Sequence, residues 1–471
     1  MPEGLPIAGH WRQTIEKAAV VFPYDGSVVA QAPVGSPDDA ATALDTAESA
    51  RKAVASLPTH ERRRCLNSVA DELAGRTEEL IDLLILETGK PRRDCVTEVT
   101  RSIITFRMAA EECARVTGET VPLDLLPSGE GMFGFWVREP IGVVVGITGF
   151  NYPLLLASHK IAPAMGVGCP IIVKPAPNTP LATLFLTHLI QTVGYPADGV
   201  QVVTGDAAVG ETLTTDTRVR AVSFTGSAAV GYTIAKNVGA ARVTLELGSN
   251  AALVVTGSAD LARAANAVAR GGYYASGQAC ISVQRIIAEE SIAGGFTAFV
   301  ADRVKSLVVG DPRHADTDVA PLINRAATDR VTQWIDQALV AGAEVVTGGQ
   351  LGDDRIEPTV VRNVADGQPL WDEEVFGPVV AIREVPDLDA AIDVVNRSRF
   401  GLHVSIFTSD IASAVTVARR IEAGGILINE VPGFRADNMP YGGVKHSGMG
   451  REGPRFAMEE FTVTKMIMVR P

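Results

Sequence analysis

At 471 residues the chain is too long for one compact core, so two or three domains are expected. Its 46% hydrophobic and 21% charged residues suit a soluble, well-packed protein, and its net charge of −13 argues against a general nucleic-acid binder, which needs surplus cations to replace counterions. The 5 cysteines are scattered without a CxxC pair, which excludes a disulfide framework and a cysteine zinc site; no metal is expected. With no apolar run near the roughly 18 residues of a membrane span, and no basic leader before an apolar stretch, the expectation is a cytoplasmic enzyme working away from membranes.

Residues 1–36 are short apolar pieces broken by Pro23, Asp25-Gly26, Pro33 and Gly35, which suggests turns and a hairpin. From Asp38 the pattern becomes helical. Thr59 is expected to cap a second helix, Gly89 to end a third, and Pro91 to start the long helix 92–117 that carries Arg107. After Gly118, residues 131–138 alternate like a strand. Short β-branched runs at 142–147, 171–173, 200–203, 219–224 and 243–247 then alternate with helical stretches such as 154–165 and 181–193. That order predicts a parallel sheet covered on both faces. A second α/β series follows Ala251 and runs to about Asn429, and 461–469 alternates as a strand that pairs with 131–138 or with another subunit.

Two stretches carry chemistry. Ser276-Gly277-Gln278-Ala279-Cys280-Ile281 presents a lone thiol on a glycine-loosened turn, and Thr244-Leu245-Glu246-Leu247-Gly248 ends an apolar run with a carboxylate. A thiolate to attack a carbonyl and a carboxylate to activate water afterwards are the minimum for covalent acyl chemistry. The sheet calls for a nucleotide at the carboxyl ends of its strands, yet GxGxxG is absent. Gly226 and Gly231 have phosphate-loop spacing, but Tyr232-Thr233 follows where Lys-Ser/Thr is required, so that motif is rejected. A Thr225-Gly226-Ser227 turn can hold one phosphate on backbone amides or simply cap a helix. Lys174, stiffened by the prolines up to Pro180, reaches a ribose or its phosphate, or is a surface lysine.

Together the motifs resemble the aldehyde dehydrogenase superfamily. They are Phe150-Asn151-Tyr152-Pro153, the Lys174 proline loop, Phe224-Thr225-Gly226-Ser227, Leu245-Glu246-Leu247-Gly248, Gly277-Gln278-Ala279-Cys280, Glu373-Glu374-Val375-Phe376-Gly377-Pro378 and Pro440-Tyr441-Gly442-Gly443, in this order across nearly the whole chain. The resemblance implies Cys280 as nucleophile, Asn151 as oxyanion donor and Glu246 as the base for hydrolysis of a thioester. It also implies NAD or NADP held along Ile147, Thr148, Gly149 and Phe150, by Lys174 and Pro177, by Phe224, Gly226, Ser227 and Leu247, and by Glu374 and Phe376. Residues 1–118 and 138–247 would form a Rossmann-like cofactor domain, 248–445 a second α/β catalytic domain, and 119–137 with 455–471 a small β oligomerisation arm of a homodimer or homotetramer.

Departures from the family pattern shape the expectations. Pro177 stands where many NAD-specific members carry a glutamate, which permits NADP. Ser249 replaces a glycine beside Glu246. Val463 stands where many members carry a glutamate that pairs with the lysine represented by Lys160, and Glu459 or Glu460 is the expected substitute. Arg435 lies near an aromatic position of general members, His159 is two turns beyond Asn151, and Arg107 resembles the helix arginine of phosphate- and phosphonate-handling members. Such cations would select an acidic aldehyde. Equally, Arg107 could pair with Glu111, His159 could be a satisfied interior histidine, and Arg435 could sit on the rim. The resemblance is greatest to the branch of lactaldehyde, non-phosphorylating glyceraldehyde-3-phosphate and phosphonoaldehyde dehydrogenases, so a phosphonoaldehyde leads, with succinic semialdehyde or lactaldehyde as alternatives. Ala279, where some phosphate-handling members have arginine, weakens the phosphate case. Acyl transfer to coenzyme A is disfavoured by Glu246, and a non-catalytic binding protein by the intact Cys280, Glu246 and Asn151.

Overall fold

Alternation of β-branched side chains builds the centre of the molecule. In the strand Val143–Ile147, Val143 and Val145 enter one apolar cluster while Val144 enters another, as the two faces of a pleated strand require. The computed structural model describes residues 2–351 and 355–471. Its first sheet runs Gly448–Met449, Arg242–Glu246, Val219–Thr225, Val143–Ile147, Ile171–Lys174, Val200–Val202. All its pairings are parallel except that of the edge strand Gly448–Met449. Helix Pro153–Val167, buried along nearly its whole length, lies between this sheet and helix Arg92–Glu112.

A second sheet repeats the scheme in the order Glu344–Thr347, Thr359–Arg362, Val379–Val385, Arg285–Glu289, Ala252–Val255, His403–Phe407, Gly425–Ile428. Ala252 and Val254 face one cluster, Leu253 and Val255 the other. The C-terminal strand Thr462–Val469 pairs antiparallel with Phe133–Pro140, with Thr462 opposite Pro140 and Val469 opposite Phe133, and Glu119–Thr120 adds a third strand. No described helix is long and apolar enough to cross a membrane.

Element ends follow local chemistry. Ser36 caps helix Pro37–Ala55 through a reciprocal capping box with Asp39, and Gly89 ends helix Thr77–Thr88 at φ 70°. Thr59, expected as a cap, is the first helical residue behind Pro58 and makes no capping bond. The long helix stops at Glu112 and tightens into a 3₁₀ turn at Cys113–Arg115, short of the expected residue 117.

Candidate active site

The strands of the first sheet end level. Ile147 pairs with Lys174 and with Phe224, and Thr225 pairs with Glu246, so the loops that follow open onto one cleft. At its centre is a cavity of about 290 Å³ whose wall includes Asn151, Glu246, Cys280, Glu374, Arg435 and Tyr441.

The nucleophile loop is a strained turn held from outside. Ala275 and Ser276 are left-handed at φ 48° and 56°, and Gly277 follows at 74°. Such conformations cost about 1–3 kcal/mol each at non-glycine residues and persist only when fixed by neighbours. Here the Ala275 amide donates to Asp94 Oδ2 at 2.8 Å, and Ser276 Oγ donates to Ala320 O at 2.7 Å while accepting from Ala320 N at 3.0 Å. A Cβ on Gly277 would overlap the Gly377 carbonyl. The turn leaves Cys280 partly open, whereas Cys65, Cys95, Cys113 and Cys169 are buried.

Asn151 Nδ2 donates to Gln278 O at 2.8 Å, which aims the amide along the nucleophile loop, and its second hydrogen, without a partner among the described residues, is available to an oxyanion. Cys280 Sγ lies 3.2 Å from Tyr441 Oη. Burial pushes the thiol up to about 12; the Tyr441 hydrogen bond and Arg435 oppose this, while Glu374 and Glu246 add to it. Glu246 ends its strand with both carboxylate oxygens unpartnered among the described residues. Burial first, and the Glu452 carboxylate second, push its proton affinity well above the usual carboxylate range.

Two carboxylates organise the charges along one wall. Asp437 accepts from Arg101 at 3.1 and 2.7 Å, as a fork, and lies 3.1 Å from His159 Nε2. Burial works against its charge, but hydrogen bonds from His159 and Arg101 overcome it and hold Asp437 well below the usual range. Glu452 accepts from Lys160 at 2.8 Å and lies 3.5 Å from Arg435 Nη2, and Lys160 also donates to Thr225 at 2.8 Å. Arg435 stacks on the Tyr441 ring at 3.8 Å and keeps a buried Nε with no partner among the described residues.

Of the three expected substrate cations, the structure brings His159 and Arg435 to the cavity and leaves Arg107 outside. Arg107 is half-exposed and paired with Asp71 at 2.9 Å, neither in the pocket nor bonded to Glu111. Arg101, six positions earlier, takes the inner place. The expected partners of Lys160 are also replaced. Glu459 pairs with Arg455 and Glu460 faces Arg242, while Glu452 holds the lysine and Val463 lies on the exposed arm. Arg101, Asp437 and Glu452 belong to no motif. The signal for Arg101 is positional: it lies two turns beyond Asp94, the residue that holds the nucleophile loop.

The cofactor side fits a dinucleotide. Ser227 precedes helix Ala228–Asn237 without a side-chain cap, so its first amides are free for phosphate. The Lys174 ammonium, at its strand end, has no hydrogen-bond or ion-pair partner among the described residues, and burial lowers its proton affinity. Glu374 accepts from the Ser249 amide at 2.9 Å through Oε1, leaving Oε2 without a partner among the described residues, and burial pushes it up to about 7. Gly149, Phe150, Gly226, Leu247 and Phe376 line the same cavity, with the Phe150 and Phe376 rings edge-on at 5.6 Å. Ile147 and Phe224 pair at the strand ends and Thr148 follows, none of the three lining the cavity, and Pro177 is exposed on the loop beyond Lys174.

The Aldehyde dehydrogenase family model matches residues 11–467. The chain belongs to the aldehyde dehydrogenase family. It is 39% identical over 467 residues to the 3-sulfolactaldehyde dehydrogenase of Priestia aryabhattai, covering 99% of this chain and 98% of that one. Aldehyde dehydrogenase 21 of Physcomitrella patens, solved with its reaction product succinate, superposes with TM-score 0.96 at 34% identity over 100% of this chain and 99% of that one. The glyceraldehyde-3-phosphate dehydrogenase GapN of Methanocaldococcus jannaschii, solved with NADP, superposes with TM-score 0.93 at 36% identity over 97% and 100%. This aldehyde dehydrogenase is therefore an α/β enzyme that acts on an aldehyde with NAD or NADP.

Proposed function

We propose that the enzyme oxidises a small anionic aldehyde to its carboxylic acid through a thioester on Cys280. The Cys280 thiolate attacks the carbonyl carbon, and the oxyanion is met by the free amide hydrogen of Asn151 and the backbone N–H of Cys280. The bound dinucleotide supplies the two-electron acceptor for the oxidation. Glu246 then takes a proton from the water that attacks the thioester, and its high proton affinity suits a base acting near neutral pH. The nearest carboxylate it feels is Glu452, paired with Lys160.

The anionic tail is carried by one observation: Arg435, its side chain 5% exposed, lines the cavity and keeps a buried Nε with no partner among the described residues. Arg101 stands beside it on the same wall. Along this wall Arg101 pairs with Asp437, while Lys160 and Arg435 pair with Glu452. A phosphonate, carboxylate or sulfonate suits a guanidinium fork. Relatives named for sulfolactaldehyde and solved with succinate support this class. A phosphonoaldehyde such as phosphonoformaldehyde or phosphonoacetaldehyde is the first to test, against succinic semialdehyde, sulfolactaldehyde and lactaldehyde. Pro177 leaves no acidic side chain to repel a 2′-phosphate, so NADP belongs in every assay. We also assign residues 1–118 and 138–247 to cofactor binding, 248–445 to catalysis, and 119–137 with 455–471 to an arm between subunits.

The test is steady-state kinetics across this panel. Arg101→Gln raises KM for the best anionic aldehyde about 10- to 100-fold, the range of one lost charged hydrogen bond, and changes a neutral aldehyde little. Arg107→Gln changes neither. Because Arg101→Gln leaves buried Asp437 with His159 alone, the pair Arg101→Gln/Asp437→Asn is measured beside it. Equal losses on charged and neutral aldehydes in both variants would reject the anionic reading.

A further inference from the structure

The sulfur of Cys280 has few allies. Glu246 and Glu374 approach it with like charge, and Tyr274 faces it from the nucleophile loop. Tyr441, through its hydrogen bond, and Arg435 favour its ionisation. Tyr441 is rigidly placed. Its backbone exchanges two hydrogen bonds with Glu452, at 3.0 and 2.7 Å, and its ring meets His403 edge-on at 5.1 Å. Its hydroxyl has no partner among the described residues except Cys280 Sγ at 3.2 Å.

With a thiol, either atom can donate; with a thiolate, only the phenol can. Ionisation thus turns an ambiguous contact into a charge-assisted bond. The Arg435 guanidinium, 3.8 Å above the ring, stabilises negative charge drawn onto the phenol oxygen and so makes its O–H a better donor.

We propose that Tyr441 is a catalytic residue whose hydroxyl donates to the sulfur of Cys280 and holds the thiolate ready for attack, with Arg435 on its ring strengthening that donor. This rests on Cys280 being the nucleophile. The same bond serves hydrolysis. A water oxygen bonds to the acyl carbon, its proton passes to Glu246, the C–S bond breaks, and the electron pair returns to a sulfur that Tyr441 already solvates.

The test is the rate of alkylation by iodoacetamide against pH on the full-length enzyme, without aldehyde. The four other cysteines are buried, so Cys280 dominates the signal. Tyr441→Phe keeps the ring against Arg435 and His403; it moves the alkylation midpoint up by about one pH unit, roughly tenfold slower at neutral pH, and lowers kcat more than KM. Genetically placed 3-fluorotyrosine at 441, a more acidic phenol, moves the midpoint the other way. Superimposable midpoints for the native enzyme and both variants would overturn the proposal. Retained oxidation in Cys280→Ala would instead overturn the nucleophile assignment, so the two failures are distinguishable.

Discussion

Arg101 and Arg107 illustrate how much depends on a single residue's direction. At about 100° per residue their side chains leave the helix roughly 120° apart, one into the cavity and one towards Asp71. Both arginines were visible in the sequence, but beside Arg101 the buried face of that helix carries Asp94 and Glu98, polar residues that periodicity assigns to the outside. Glu452 was illegible for a similar reason. It reaches Lys160 because a lone antiparallel bridge ties it to Tyr441, a contact that no local pattern announces. Its charge sets a pH dependence. Glu452 raises the proton affinity of Glu246, and the base works only when deprotonated, so activity rises with pH through that titration. Glu452→Gln removes the opposing charge and moves the acidic limb of the kcat profile to lower pH. A limb that stays in place would show that Glu246 does not govern it.

The nucleophile turn is the element on which the site depends. Gly277 was readable from its motif, since a left-handed residue pressed against another backbone has to be glycine. The strain at Ala275 and Ser276 was not, because Asp94 and Ala320, which hold it, come from distant elements. Gly277→Ala forces the turn off the Gly377 carbonyl, lowers Tm by about 1–3 °C for the roughly 1–3 kcal/mol involved, and reduces turnover more than cofactor binding. Gly294→Ala is the control: it lies within helix Glu290–Lys305 with nothing within 4 Å of the new Cβ and leaves stability unchanged or higher by up to about 1 kcal/mol. Equal behaviour of the two in a thermal melt would remove the argument from strain. The five parallel strands of the first sheet, by contrast, were legible, because parallel strands buried on both faces read as unbroken β-branched runs.

At the scale of the whole molecule, two sheets meet around a cavity lined by Arg101 and Arg435, and the three-stranded sheet of the C-terminal strand lies to the side. The arm exposes Phe133, Met468 and Val469 on paired strands, a surface suited to a second copy; light scattering on the native enzyme should give a dimer or tetramer, and a monomer would remove that assignment. The most direct test of the covalent account is intact-mass spectrometry of Glu246→Gln mixed with NAD or NADP and the best anionic aldehyde. One acyl group per chain, located on the peptide containing Cys280 and matched by one equivalent of reduced cofactor, is the expected result. Stoichiometric cofactor reduction with no adduct on Cys280, or an adduct on another residue, would contradict it.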